Sequence, residues 1–416
     1  MNWAEPELYS GSDFIGGRPR FSEARIRGAS SFAGIGALIL AVVAFYSAHE
    51  PNISLRIAAP LAVLAVLVSN PLRFHFSVSF IPVISLAVLT FASGLWALDQ
   101  GLYLTSVTAC AVTSILYICL VGMPWSPRHI RIIAVGYALG VAAGFVQFAS
   151  SPEAVKFEDE ESRVRNAGDL NANYLAYATV ILIVIAITWI PRRKGGPYYI
   201  LGVRSLQGAL IVACLVGIIQ LQTRGALISA LAIISWVIVA GIIRIRLWVV
   251  YFGSILVLIG MLVSLTGRAD SFFTKIDFGE RGGNDLSGRL TLWPIARQLI
   301  VDNPLLGIGA GNFRDHNSLE ITTHHSLLEI AVTLGLLGLA IIVIFLFIYV
   351  VEMPSNGRQS RRVIYVGILV AYMAPIFSSS TWILTTGCWA GFGILMLMGR
   401  LTSPAEVSSR TLHICL

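Results

Sequence analysis

Twelve apolar runs, each about as long as a membrane-spanning helix, recur along this chain of 416 residues. About 20 apolar residues in a helix span the hydrocarbon core of a bilayer. Lipid offers no hydrogen-bond partner to an open sheet edge, so runs of this length form helices. The runs cover residues 30–48, 54–70, 76–97, 101–122, 130–150, 171–190, 200–221, 225–242, 247–267, 326–351, 363–380 and 382–399. The sequence therefore predicts an all-α polytopic membrane protein with about twelve transmembrane helices.

The composition excludes the main soluble classes. Only 12% of the residues are charged and 56% are hydrophobic, whereas a soluble domain carries about 25% charged residues. The chain thus lacks the polar surface of a cytosolic enzyme, a secreted disulfide scaffold or a disordered protein. Four of the five cysteines lie in apolar runs, so no disulfide framework is expected.

The basic residues predict the topology. The N-terminal segment, every second short loop and the C-terminal tail together hold 17 lysines and arginines, and the opposite short loops hold five. Basic residues favour the cytoplasmic side of short loops, so both termini are expected in the cytoplasm. The net charge of +7 is interpreted as this topology signal, and no nucleic-acid partner is expected.

These observations predict five segments along the chain. They are a cytoplasmic N-terminal segment (1–29), transmembrane helices one to nine (30–267), a large outward-facing loop (268–325), transmembrane helices ten to twelve (326–399) and a cytoplasmic tail (400–416). The first 28 residues contain no apolar core of a signal peptide, so the first span is expected to be an uncleaved anchor.

The large loop is predicted to contain a short amphipathic helix over Leu290–Asp302. Leu292, Ile295 and Leu299 follow the i, i+3, i+7 spacing of one helix face, and Asn303-Pro304 ends the segment. Such a helix lies on the membrane surface or over a cavity. A glycine-rich run follows, in which glycine permits tight turns and close backbone approach. No strand precedes the run, so a nucleotide-binding loop is excluded.

Three arginines near this face are candidate phosphate ligands. Arg224 lies at the outer start of the eighth run, Arg289 lies just before the predicted loop helix, and Arg297 lies eight residues further on, about two helical turns away. Guanidinium is always charged and binds phosphate through a planar fork. The alternative is that Arg224 anchors its helix at the membrane boundary and that the loop arginines are simply solvated.

The loop re-enters the membrane at a histidine pair, His324-His325, with Glu329 four residues after the second. An imidazole has a pKa suited to a general base near neutral pH, and a carboxylate at i+4 can orient it. The alternatives are plain interfacial residues or a metal site with His316 and Asp315, but no metal-ligand motif supports the latter.

Two asparagines, Asn171 and Asn173, open the sixth run. They either cap the helix or contact a sugar or phosphate.

Taken in order, four sequence pieces resemble the O-antigen ligase and O-antigen polymerase superfamily of bacterial envelope glycosyltransferases. The pieces are Asn173-Tyr174-Leu175-Ala176, Thr223-Arg224-Gly225, the stretch from Arg289 through Phe313, and His325-Ser326 followed by Glu329 and Gly335-Leu336-Leu337-Gly338-Leu339. The resemblance is firmest from about 170 to 345.

The resemblance implies a multi-pass enzyme of the bacterial inner membrane with a periplasmic active site. Such enzymes move a glycan from an undecaprenyl-diphosphate carrier to an acceptor hydroxyl, with inversion and without a metal or another cofactor. The implied catalytic residues are His325, Arg224 and Arg289. The expected substrate contacts are Asn173, Arg297, Asn312, His324 and Glu329.

Within the superfamily, the compact single large loop and the arginine pair favour a ligase, with lipid A–core as acceptor. Two other functions remain open, the first being a polymerase of O-antigen or exopolysaccharide that would use the growing chain with the same donor. A polysaccharide transporter or flippase is a further alternative, although transporters usually place ionisable residues near the bilayer midplane. The sugar, the linkage and the oligomeric state do not follow from the residues.

Overall fold

Eleven α-helices make up most of the described part of the chain. The structure, a computed structural model, describes residues 21–49, 51–150, 166–167, 170–189, 197–221, 223–239, 289–352 and 385–401. The helices are α1 (Phe21–His49), α2 (Pro51–Ser69), α3 (Phe80–Ala92), α4 (Gln100–Gly122), α5 (Pro127–Ser150), α6 (Ala172–Thr188), α7 (Pro197–Gln220), α8 (Arg224–Val239), α9 (Arg289–Asp302), α10 (Ser326–Glu352) and α11 (Thr386–Leu401).

Short elements connect some of these helices. Three single turns of 3-10 helix occupy Pro71–Arg73, Ser93–Leu95 and Asn312–His316. One pair of two-residue strands, Asn166–Ala167 and Leu170–Asn171, runs antiparallel just before α6.

Ten of the eleven helices are apolar enough to belong in a membrane. Five of them are also long enough to cross it, namely the segments Phe32–His49, Gln100–Gly122, Pro127–Ser150, Gly202–Gln220 and Ser326–Glu352. The other five apolar helices are shorter. The ten helices coincide with ten of the predicted runs, so a helical membrane protein is confirmed. The runs 247–267 and 363–380 lie outside the described residues, and the count of twelve stays a prediction.

Small residues bring α1 and α5 into close contact. Gly136, Gly140 and Gly144 recur every fourth residue and lie on one face of α5. A Cβ atom at Gly136 would lie 2.3 Å from the Ala41 carbonyl oxygen, and one at Gly140 would lie 2.2 Å from that of Phe45. The two backbones therefore approach as they do in membrane helix pairs with small residues at every fourth position. This pair packs with α2, α6 and α11.

The helix α10 is interrupted at Gly335, where φ is 67° and ψ is −171°. The break separates two carbonyls, of Val332 and Thr333, from the N–H groups of Leu336 and Leu337, which would be their partners in a continuous helix. Buried backbone groups need new partners when a helix breaks.

The segment that follows α9 supplies all four partners. The N–H of Leu336 donates to Pro304 O at 2.8 Å, and that of Leu337 donates to Leu305 O at 3.3 Å. In the other direction, the N–H of Ile308 donates to Val332 O and the N–H of Gly309 donates to Thr333 O, both at 2.9 Å. The segment thus inserts into the hydrogen-bond ladder of α10.

Glycine is required on both sides of this insertion. A Cβ at Gly335 would lie 2.2 Å from Leu305 O, and one at Gly307 would lie 2.4 Å from Val332 O. Both residues have positive φ, a region that side chains with a Cβ rarely adopt. Gly307 of the loop and Gly335 of α10 therefore belong to the same contact between the two segments.

The same segment then crosses to the turn between α3 and α4. The N–H of Ala310 donates to Ser93 Oγ at 3.1 Å. The side chain of Asn312 accepts from the N–H of Asp99 at 2.6 Å and donates to Ala310 O at 3.0 Å. Residues 303–312, hereafter the strap, therefore tie α10 to α3 and α4.

We expect Gly335→Ala to destabilise the protein strongly. The left-handed conformation alone costs a residue with a Cβ about 1–3 kcal/mol, and the clash with Leu305 O adds to this. Thermal unfolding in detergent, followed by the loss of monodisperse protein, measures the effect. Gly34→Ala is the matched control, because a Cβ at Gly34 in α1 meets nothing within 4 Å. Equal melting temperatures of the two variants would contradict the assigned function of Gly335.

Candidate active site

The loop helix α9 covers the strap and the start of α10. It begins at Arg289, one residue before the predicted start, and ends at Asp302 as predicted. Leu292 and Ala296 are fully buried in a small core with Ile308, Phe313 and Val332. Partly buried Ile295 and Leu299 pack against this core, so the predicted amphipathic face is confirmed and packs on protein.

Trp293 fixes α9 to the end of the loop. Its Nε1–H donates to Thr323 O at 3.1 Å, and its ring meets the His325 ring edge to face, with centroids 6.0 Å apart. Arg289 precedes Trp293 by four residues, which places the two positions on one face of the helix. The position of Arg289 is thus on the His325 side of α9, although its side chain, like that of Arg224, lies outside the described part.

A tight turn at Thr323–His325 leads into α10. Thr323 Oγ1 donates to His325 O at 3.0 Å and accepts from the His325 N–H at 3.3 Å. His324, between them, has a φ of 55°. The hydroxyl of Thr323, which is fully buried, therefore holds the turn that precedes the helix.

His325 caps the start of α10 with its ring. Its Nδ1 lies 3.2 Å from the backbone nitrogen of Leu328, one of the N–H groups that a helix start leaves without a partner. Nδ1 accepts this hydrogen bond and carries no proton while it is made. The proton of the neutral imidazole is then on Nε2, where the ring donates.

Glu329 supports the same turn from within α10. Its carboxylate is buried, with 8% of the residue exposed, and Oε2 accepts from the N–H of Thr323 at 2.9 Å. That Glu329 orients the His325 ring stays a prediction. The carboxylate contacts the turn backbone, and the N–H of Glu329 donates to His325 O at 2.9 Å, the first i, i+4 hydrogen bond of the helix.

A second group of predicted residues meets at the starts of α6 and α8. Thr223 Oγ1 donates to Asn173 Oδ1 at 3.1 Å, although the two lie 50 residues apart. Asn171 caps α6 by accepting from the N–H of Asn173 at 2.9 Å, so its capping interpretation is confirmed. Arg224, the first residue of α8, therefore starts its helix beside Asn173.

A cavity of about 240 Å³ lies near these two groups. It lies between α2, α3, α4, α6, α10, α11 and the strap. Tyr174, next to Asn173, lines one part, and Glu329 lines another. The other polar lining residues include Thr105, Ser106, Arg314 and Thr322, while the remaining wall is mainly apolar.

Arg314 was not predicted as a site residue. It follows the strap in the 3-10 turn Asn312–His316, lines the cavity and interacts electrostatically with Glu329. The sequence identifies it only as one of several basic loop residues, because the folding of the strap onto α4 brings it to the cavity.

Three predicted substrate contacts occupy other places. Asn312 is fully buried and uses both ends of its amide on backbone groups, so its function is structural. Arg297 is exposed on α9, and His324 is half-buried in the turn. Neither is among the described residues that line the cavity. Within the described ranges, no three His, Cys, Asp or Glu side chains come close enough together to hold a metal ion.

Comparison with known proteins supports the resemblance. Residues 209–343 match the family described as O-antigen ligase, about a third of the chain. The match includes Arg224, Arg289, His325 and Glu329 together with the strap. No curated protein matches the chain. The resemblance to the O-antigen ligase superfamily is therefore confirmed.

We expect His325→Ala to lower the free energy of unfolding by about 0.5–2 kcal/mol, the usual range for loss of a side-chain helix cap. His325→Asn should retain most of this stability, because asparagine is a favoured cap. Thermal unfolding of both variants in the same detergent measures the difference. A destabilisation of His325→Asn as large as that of His325→Ala would contradict the capping function.

Proposed function

We propose that the protein is a glycosyltransferase that moves a glycan from an undecaprenyl-diphosphate carrier to an acceptor hydroxyl. The observation that supports this best is the cavity lined by both Tyr174 and Glu329, because Tyr174 follows Asn173 and Glu329 contacts the turn that leads to His325. The family match supports a ligase or polymerase. A carrier in the membrane would present its diphosphate at the level where apolar helices meet polar loop residues.

On this proposal, Arg224 and Arg289 bind the diphosphate. Their positions start two different helices, α8 and α9. Negative charge grows on the diphosphate as the bond to the sugar C1 breaks, and preorganised guanidinium groups stabilise such charge. Two arginines can neutralise it, so we propose that the reaction needs no metal ion.

The acceptor hydroxyl would attack C1 from the face opposite the diphosphate, with inversion at that carbon. Its proton needs a base, and His325 and Glu329 lie one helical turn apart at the start of α10. Base catalysis of this kind typically contributes about 10²–10⁴ in rate. Asn173 completes the proposed site as a polar contact to the substrate.

We propose the ligase reaction, with lipid A–core as acceptor, and a periplasmic site in the bacterial inner membrane with both termini in the cytoplasm. A polymerase of O-antigen or exopolysaccharide would use the same donor and site. A gel of the surface glycolipid from a strain that lacks the gene distinguishes the ligase from the polymerase. Bare core with carrier-linked polymer indicates the ligase, and core with one repeat unit indicates the polymerase.

We expect purified protein in detergent to transfer a glycan from undecaprenyl diphosphate to an acceptor. Arg224→Ala and Arg289→Ala should each lower kcat/KM by at least tenfold, through loss of charge stabilisation. Arg73→Ala is the control, because Arg73 is an exposed arginine in the turn between α2 and α3. Product formation followed by mass spectrometry measures transfer.

Two results of this assay would contradict the proposal. A protein that transfers nothing in detergent but moves carrier-linked glycan across vesicle membranes would be a transporter or flippase. Loss of activity on adding a chelator to metal-stripped enzyme, with recovery on adding metal back, would contradict the metal-independent reaction.

A further inference from the structure

Two groups at the start of α10 compete as the base, and their hydrogen bonds distinguish them. His325 Nδ1 accepts from the N–H of Leu328. The proton of the neutral ring is therefore on Nε2, so this tautomer donates at Nε2 and takes up no proton there. To act as a base, the ring would need the other tautomer or would have to give up its cap of α10.

The carboxylate of Glu329 has no such restriction. It accepts at Oε2 from the N–H of Thr323 at 2.9 Å and also interacts with the Thr323 side chain, whereas a carboxylate has two oxygens with about four acceptor sites. Glu329 lines the cavity and lies in the first turn of α10. It can therefore accept a hydroxyl proton while the contact with the turn is kept.

The cavity around Glu329 has the chemistry for an acceptor sugar. Hydroxyl groups of Thr105, Ser106 and Thr322 line it together with Trp389. Sugars present hydroxyl edges and apolar faces, which match a wall of hydroxyl and aromatic side chains. Arg314 lines the same space and attracts the Glu329 carboxylate.

We propose that Glu329 is the catalytic base that takes the proton of the acceptor hydroxyl, and that His325 is a positioning residue. His325 caps α10 and shapes the turn from which Thr323 binds Glu329. The inference rests on the proposed glycosyl transfer and deepens it, since it assigns the proton acceptor and places the acceptor hydroxyl in the cavity.

The step balances without a further reactant. The acceptor oxygen forms a bond to the sugar C1, and the bond from C1 to the diphosphate oxygen breaks. The electron pair of that bond leaves with the diphosphate. The hydroxyl proton goes to a carboxylate oxygen of Glu329, which returns it to solvent before the next turnover.

The variant Glu329→Gln separates catalysis from structure. The glutamine carbonyl oxygen can still accept from the N–H of Thr323, so the turn should fold. The charge and the basic oxygen are lost, so kcat should fall by about 10²–10⁴ with little change in the KM of the donor. Glu329→Asp keeps a carboxylate one methylene shorter and should retain more activity than Glu329→Gln.

The pH dependence of kcat identifies which residue titrates. The wild type should lose activity towards acidic pH as its base becomes protonated. The other titratable or charged side chains that line the described cavity are Arg314, Tyr174 and Cys110. A guanidinium, a phenol and a thiol do not change charge as the pH falls below neutral, so these side-chain types do not produce an acidic limb.

Kinetics of the full-length protein in detergent test the inference. We expect His325→Asn, which keeps a helix cap, to retain the acidic limb with a modest loss of rate, and Glu329→Gln to lose the limb along with most of the rate. The inference is overturned if Glu329→Gln keeps at least half of the turnover and the limb, while His325→Asn loses both. A wild-type protein without transfer activity would instead overturn the proposed function itself.

Discussion

The exchange of four backbone hydrogen bonds between the strap and α10 is the contact on which the rest of the site depends. Breaking a helix inside a membrane protein leaves carbonyl and N–H groups that lipid does not satisfy. Here the break at Gly335 leaves two of each, and the strap from Pro304 to Gly309 pairs with all four. The loop is thereby joined to the helix through its backbone.

This contact positions the candidate site residues through a series of further contacts. The strap fixes the end of α9, whose Trp293 binds the turn at Thr323. The Thr323–His325 turn then positions the His325 ring that caps α10 and contacts the Glu329 carboxylate that lines the cavity. Beyond Gly309, the strap reaches Ser93 and Asp99 through Ala310 and Asn312. The strap thus connects α4 to α10, and residues of both helices line the cavity between them.

Local patterns in the sequence predicted the helices. The features that they did not predict depend on contacts between residues far apart in the chain. Ten apolar runs and the amphipathic face of α9 follow from hydropathy and helical periodicity, which act over one or two turns. The pairing of Gly307 with Gly335 does not follow, because each glycine alone indicates only a turn or a close approach. The same holds for Arg314, which the folded strap brings to the cavity.

The measurement that tests the proposed site most directly is a cryo-EM structure of the Glu329→Gln variant with an undecaprenyl-diphosphate-linked sugar bound. The predicted result is density for the diphosphate between the first residues of α8 and α9, with the sugar C1 facing the cavity lined by Tyr174 and residue 329. Density for the diphosphate on the exposed face of α9 near Arg297, with the cavity empty, would contradict the proposed site.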